Sequence, residues 1–99
     1  MWGQIVKVRI KPGTEAELMQ IQEEMKEDSS ADSGWVRTIT GRNNRDPLEH
    51  YTLVTFQSEA DARRREASPQ SQEFGARLQA CMDGQPEFID LDIVFDSSA

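Results

Sequence analysis

The stretch "YTLVTF", Tyr51 to Phe56, alternates as a strand does, yet both phases are apolar or β-branched: Tyr51, Leu53 and Thr55 against Thr52, Val54 and Phe56. Such a strand sits badly with one face in water, so the sheet it joins needs cover on both sides. A chain of 99 residues has little to spare for that cover. Folded alone, a domain of this size buries only about 60–68% of its unfolded surface. Its hydrophobic share is 36%, and the 6 glycines do not close the gap to the roughly 45–50% apolar content usual for globular domains. Helices can cover one face, and a second sheet from a second copy covers the other. A homodimer is the expectation.

The remaining elements follow from periodicity and punctuation. "QIVKVRI", Gln4 to Ile10, is a first strand with Val6, Val8 and Ile10 on one face and Ile5, Lys7 and Arg9 on the other. Pro12-Gly13 makes a turn, and Thr14 with Glu17 three residues on predicts a capping box. Leu18, Ile21 and Met25 then form one narrow apolar helix stripe, which "DSSADSG" ends. "GWVRTITG" and "EHYTLVTF" read as a hairpin around a fairly long "RNNRDP" loop. Ser58 opens a short helix, "EADARRREA", that is nearly devoid of large apolar residues.

Pro69 would break a helix if it lay inside one. Behind Ser68, a preferred cap, it instead starts a new helix at the position where its missing N–H costs nothing. Phe74, Leu78, Cys81 and Met82 give that helix its stripe, and Gly84 and Pro86 stop it. "EFIDLDIVF" supplies a fourth strand. The order is strand, helix, strand, strand, helix pair, strand. Its usual solution is an α+β, ferredoxin-like βαββαβ fold: one four-stranded antiparallel sheet with the helices on one face. There is no internal repeat and no linker, so residues 1–99 read as a single domain.

Charge and cysteine content exclude several classes. Eleven Lys and Arg against 18 Asp and Glu give a net charge of −7, which disfavours nucleic acid and anionic membrane surfaces. Cys81 is the single cysteine, so no internal disulfide can form. Lys7 and Arg9 interrupt what a signal peptide would need as an apolar run. No stretch approaches the roughly 18 apolar residues of a membrane span. A cytoplasmic, soluble protein is expected. There is no Gly-rich phosphate loop, no paired-cysteine site and no Ser/His/Asp set, and one histidine makes a metal site implausible.

In this order and spacing, "VRIKPGTEAEL", "GWVRTITG", "LVTFQSEADA" and "ASPQSQEF" resemble the antibiotic biosynthesis monooxygenase family of dimeric α+β barrels. That family includes cofactor-independent oxygenases, quinol oxygenases and a haem-degrading branch. The resemblance implies a homodimer whose sheets close into a barrel, and a pocket in each subunit between helices and sheet. The haem-degrading branch carries an asparagine, a tryptophan and a histidine at positions that correspond here to Lys7, Phe56 and Phe74. All three depart from the pattern. Without an imidazole at Phe74 no proximal iron ligand is expected on that helix. Phe56 also departs from the tryptophan frequent in the cofactor-free oxygenases. No cofactor is expected.

His50, the only histidine, shares a strand face with Thr52, Val54 and Phe56, and the resemblance turns that face towards the pocket. A neutral imidazole there can take a proton from a phenol or hydroquinone, which makes His50 the candidate catalytic base. Lys7 and Arg9 are expected to face the same pocket, where a cation suits an anionic or enolate-like ligand. Alternatively they pair across the sheet with Asp90 and Asp92, worth roughly 0.2–1 kcal/mol each. Trp35 and Arg37 share a face with Ile39, and an indole at a pocket mouth would suit an aromatic ligand. Lys7, Arg9, Trp35, Phe56 and Phe74 are thus the candidate substrate contacts. "RRRE" reads as a solvated helix face and Cys81 as a small hydrophobe. Two functions fit: a cofactor-independent monooxygenase of small aromatic or quinol-like molecules, or a non-catalytic dimer whose pocket binds a small molecule or is filled by its own side chains.

Overall fold

The computed structural model describes residues 1–28 and 33–99. Strand β1 (Trp2–Arg9) leads to helix α1 (Glu15–Asp28), and β2 (Trp35–Asn43) and β3 (Asp46–Phe56) follow as a hairpin. Helices α2 (Glu59–Glu66) and α3 (Pro69–Cys81) come next, and β4 (Glu87–Asp92) closes the sheet. All pairings are antiparallel, in the order β2-β3-β1-β4. This is the expected ferredoxin-like α+β fold, with the second helical segment split at Ser68-Pro69.

The split is local chemistry. Pro69 occupies the first turn of α3, and the Ser68 hydroxyl accepts the Ser71 N–H at 3.1 Å. Ser58 does the same for Asp61 at 3.2 Å ahead of α2. The capping box expected before α1 takes another form. There the Thr14 hydroxyl donates to Lys11 O at 2.7 Å and to Cys81 O at 3.4 Å, closing the turn and tying it to the end of α3. The stop signal "DSSADSG" falls largely on residues 29–32, outside the described residues.

Several strand boundaries differ from expectation, β1 among them, which begins at Trp2 and ends at Arg9. The hairpin loop is short, because Asn43 pairs with Asp46 and the Asn43 side-chain oxygen accepts the Arg45 N–H at 2.9 Å. An Asx turn replaces the long loop. Strand β4 ends at Asp92, after which Ile93 N–H still donates to Met1 O at 3.0 Å, and Val94 and Phe95 stand exposed.

The core lies between helices and sheet. Trp2, Phe56 and Ala62 form a buried cluster with Trp35 and Val54 against it. Trp2 and Phe56 meet as a tilted pair, ring centroids 6.4 Å apart, a geometry worth about 0.5–1.5 kcal/mol beyond its buried area. At the other end Ile10, Leu18, Ile21 and Cys81 are buried. Backbone bonds from Lys11 N–H to Cys81 O (2.8 Å) and from Asp83 N–H to Arg9 O (2.7 Å) fasten α3 to the end of β1. The far face of the sheet stays bare in a single chain: Ile39, Tyr51 and Ile89 are 47%, 39% and 52% exposed. Both phases of the strands are apolar, and only one is covered.

Candidate functional site

The pairing register decides which side chains reach the helix-covered face. Trp2 pairs with Phe56, Val6 with Thr52 and Val8 with His50, so His50, Thr52, Val54 and Phe56 point towards the helices as the alternation predicted. His50 is buried, 4% exposed. Its Nε2 lies 3.2 Å from the Pro47 carbonyl. A carbonyl oxygen only accepts, so Nε2 carries the proton and Nδ1 presents a lone pair. Nδ1 is buried and has no hydrogen-bond partner among the described residues.

A second polar group crosses the same layer. Gln22 of α1 donates through Nε2 to the Thr40 hydroxyl at 3.0 Å, and Thr40 Oγ1 lies 3.0 Å from Thr52 Oγ1. Gln22 follows the buried Leu18 and Ile21 that hold this turn of α1 in the core, so its side chain can reach from helix to sheet. Val6, Val8 and Val54 share this face with Thr52 and His50. A mostly apolar layer with a few convergent polar groups is the usual chemistry of a small-molecule site.

Sequence reasoning put Thr52 on the His50 face but missed Gln22 and Thr40, and for Thr40 the reason is specific. Strand β2 carries a bulge: Trp35 pairs with Phe56 but Arg37 with Thr55, leaving Val36 extra. Trp35 faces the helices, whereas Arg37 and Ile39 face away, which corrects the expectation that all three share a face. Past the bulge the phase inverts and brings Thr40 inward. The 2.8 Å bond from the Trp35 indole N–H to Thr38 Oγ1 fixes the inverted phase. Nothing in "WVRTITG" announces the extra residue.

The predicted contacts separate into two groups. Trp35 and Phe56 are on the His50 face but belong to the packed Trp2 cluster, and Phe74 is half-buried on α3. Lys7 and Arg9 are on the opposite face, because Trp2, Val6, Val8 and Ile10 take the helix side and leave Lys7 beside Tyr51 and Arg9 beside Glu49. They do not join His50. The expected cross-strand ion pairs are also displaced: Lys7 faces Glu87, while Asp90 faces Gln4 and accepts its amide at 2.9 Å. Arg9 bonds Asp46 at 2.8 Å instead. Together Lys7, Arg9, Glu49, Asp83 and Glu87 border an open depression of about 230 Å³ on that outer side.

Electrostatics concentrate at the edges. A hydrogen bond to Glu49 raises the Tyr51 phenol above its ordinary range, and the same bond lowers the Glu49 carboxyl. Arg77 of α3 holds Glu24 of α1 through two bonds of 2.9 and 3.1 Å and reaches Glu17 at 3.4 Å, which lowers the Glu24 carboxyl. Arg63 of α2 bonds Glu59, Glu66 and Asp90 and stacks 5.2 Å above the Trp2 ring. Arg42 of β2 pairs with Glu15 of α1.

Haem does not suit this arrangement. The sole histidine is on β3 with Nε2 already engaged by Pro47, and α3 offers Phe74 where a proximal ligand would stand. Among the described residues no cluster of His, Cys, Asp or Glu could hold a metal ion, and no helix is long and apolar enough to cross a membrane.

The strand order and the helices packed on one sheet face define a ferredoxin-like α+β domain. The chain belongs to the antibiotic biosynthesis monooxygenase family, whose model matches residues 1–90. Solved structures agree in fold at low identity. SnoaB, a cofactor-independent oxygenase from Streptomyces nogalater, superimposes with a TM-score of 0.83 at 14% identity, over 96% of this chain and 94% of that one. A conserved protein from Methanosarcina mazei Go1 gives 0.81 at 18% identity, over 92% and 91%. Another antibiotic biosynthesis monooxygenase gives 0.80 at 15% identity, over 95% and 99%. No curated protein sequence matches.

Proposed function

We propose that this chain is a cofactor-independent monooxygenase of small aromatic or quinol-like substrates, working as a cytoplasmic homodimer. The observation that carries the reading is His50: buried on the helix-facing side, with its tautomer set by the Pro47 carbonyl and an unpartnered lone pair on Nδ1. A substrate hydroxyl gives its proton to that lone pair, and the ring becomes an electron-rich enolate. Dioxygen is the oxidant and the substrate is the only reductant. A hydroquinone thus consumes one O₂, receives one oxygen atom to give a hydroxyquinone, and releases the other atom as water. Family membership and the likeness to SnoaB support the reaction class.

The homodimer is supported by the bare sheet face, where Ile39, Tyr51 and Ile89 remain half-exposed. In the dimer Lys7 and Arg9 belong to the interface region and not to the substrate chamber proposed beside His50, so the substrate contacts reduce to His50 with Phe74 and the edge of the Trp35–Phe56 cluster. The test is oxygen consumption with a panel of hydroquinones and anthrone-like phenols, wild type against His50→Ala. Turnover above the uncatalysed rate that is lost in the variant supports the reading. No turnover by either protein on any substrate removes it.

A further inference from the structure

The layer between α1 and the sheet contains a second hydrogen-bonding element whose polarity can be worked out. Gln22 Nε2 only donates, so it fills a lone pair of Thr40 Oγ1. The Thr40–Thr52 contact needs one hydroxyl proton, and the two threonines carry two. Neither hydroxyl has a further partner among the described residues, so one O–H is left to donate. Accepting from Gln22 strengthens Thr40 as a donor, which leaves the spare proton on Thr52. Thr52 stands two residues from His50 on the same strand and face, about 7 Å along the sheet. The wall therefore offers one acceptor, His50 Nδ1, and one donor, the threonine pair.

We infer that the Gln22–Thr40–Thr52 chain is a specificity element: it selects molecules that present an acceptor oxygen, of carbonyl or quinone type, at one end while a hydroxyl meets His50 at the other. The inference rests on the proposed site, since it assumes that a hydroxyl docks at His50. It goes further by assigning roles to three residues outside the proton transfer. A hydroxyl alone would leave the threonine donor unpaired in a half-buried layer, and a carboxylate would meet the His50 lone pair with no proton to share.

Two probes separate the claims: 4-hydroxyacetophenone, with both groups, and 4-ethylphenol, with the hydroxyl only. Binding is measured by calorimetry and by the ¹⁵N imidazole signals of His50, which are unambiguous because the chain has 1 histidine. Wild type is expected to bind 4-hydroxyacetophenone about two- to tenfold more tightly than 4-ethylphenol, the range of one neutral hydrogen bond. Thr40→Val with Thr52→Val abolishes that preference by weakening 4-hydroxyacetophenone, with 4-ethylphenol bound at least as tightly as by wild type because no donor is left unpaired, whereas Thr52→Ser, which keeps a hydroxyl, retains the preference. Gln22→Leu, on the helix and outside the strand pairing, reduces the preference if the paired variant fails to fold. A preference that survives loss of both hydroxyls, or equal weakening of both probes, overturns the inference while leaving His50 as the base. If neither probe binds wild type or moves the His50 signals, the inference and the proposed site fall together.

Discussion

Ile39→Asp tests whether the bare sheet face is an interface. Ile39 is 47% exposed in the single chain, so a partner can bury about half of its side chain. Full burial of an isoleucine is worth about 1.5–3 kcal/mol, which leaves roughly 1 kcal/mol per copy. A two-fold interface repeats every residue, so the loss is about 2 kcal/mol per dimer. Two carboxylates taken out of water without partners cost several kcal/mol more. A total of at least about 4 kcal/mol corresponds to a roughly thousandfold weaker dimer. Met19 on α1 is the control: it is 51% exposed, nearly the same as Ile39, but lies on the helix layer. Sedimentation velocity across the micromolar range should give a dimer for wild type and Met19→Asp and a folded monomer for Ile39→Asp. If Ile39→Asp sediments like wild type, or if wild type is itself a well-folded monomer, the assignment of that face is wrong.

Further expectations concern the fold and its charges. Gly34 has φ +77°, and an added Cβ would lie 2.6 Å from the Asp61 Cβ, so Gly34→Ala should destabilise by at least about 1–2 kcal/mol in urea unfolding. Adding Asp61→Ala, which keeps that Cβ, should give no rescue. The chain has 1 tyrosine, so phenolate absorbance reads Tyr51 alone. Glu49→Gln should shift its titration down towards 10.0, the ordinary value, and an unmoved curve would refute the bond. Glu24, Asp61 and Asp90 have carboxyls lowered by Arg77, by Ser58 with Arg64, and by Gln4 with Arg63 respectively. Their folded values lie below the unfolded ones, so their contribution is present above about pH 4 and is lost as pH falls through the folded values. Arg77→Gln should flatten that acid loss in denaturant titrations, and an unchanged pH profile would show that the Glu24 bond contributes nothing.

The fold was legible because its signals are local. Ser68-Pro69, the Leu18–Ile21–Met25 stripe and the alternation of Val6, Val8 and Ile10 each depend on residues within a few positions, and each appears where expected. The site was only partly legible. His50 was found because strand β3 is regular and the alternation carries straight through it. Lys7 and Arg9 were assigned to the chamber although the same alternation places them opposite Val6 and Val8. The Thr40 position depends on a bulge at Val36, and the β4 register sets Glu87, not Asp90, beside Lys7. Both are results of three-dimensional pairing that no window of sequence contains.

The ion pairs of Arg77, Arg42 and Arg63 share an arrangement with a consequence of its own. Arg77 with Glu24 and Glu17, Arg42 with Glu15, and Arg63 with Asp90 all sit at the rim in contact with solvent, while the sheet beneath is held by ladder bonds that salt does not screen. The lid and the floor of the molecule thus respond to different variables. Raising ionic strength should quicken amide exchange in α1 and α3 and leave β1 and β3 nearly unchanged, so salt becomes a handle on how firmly the helices are held.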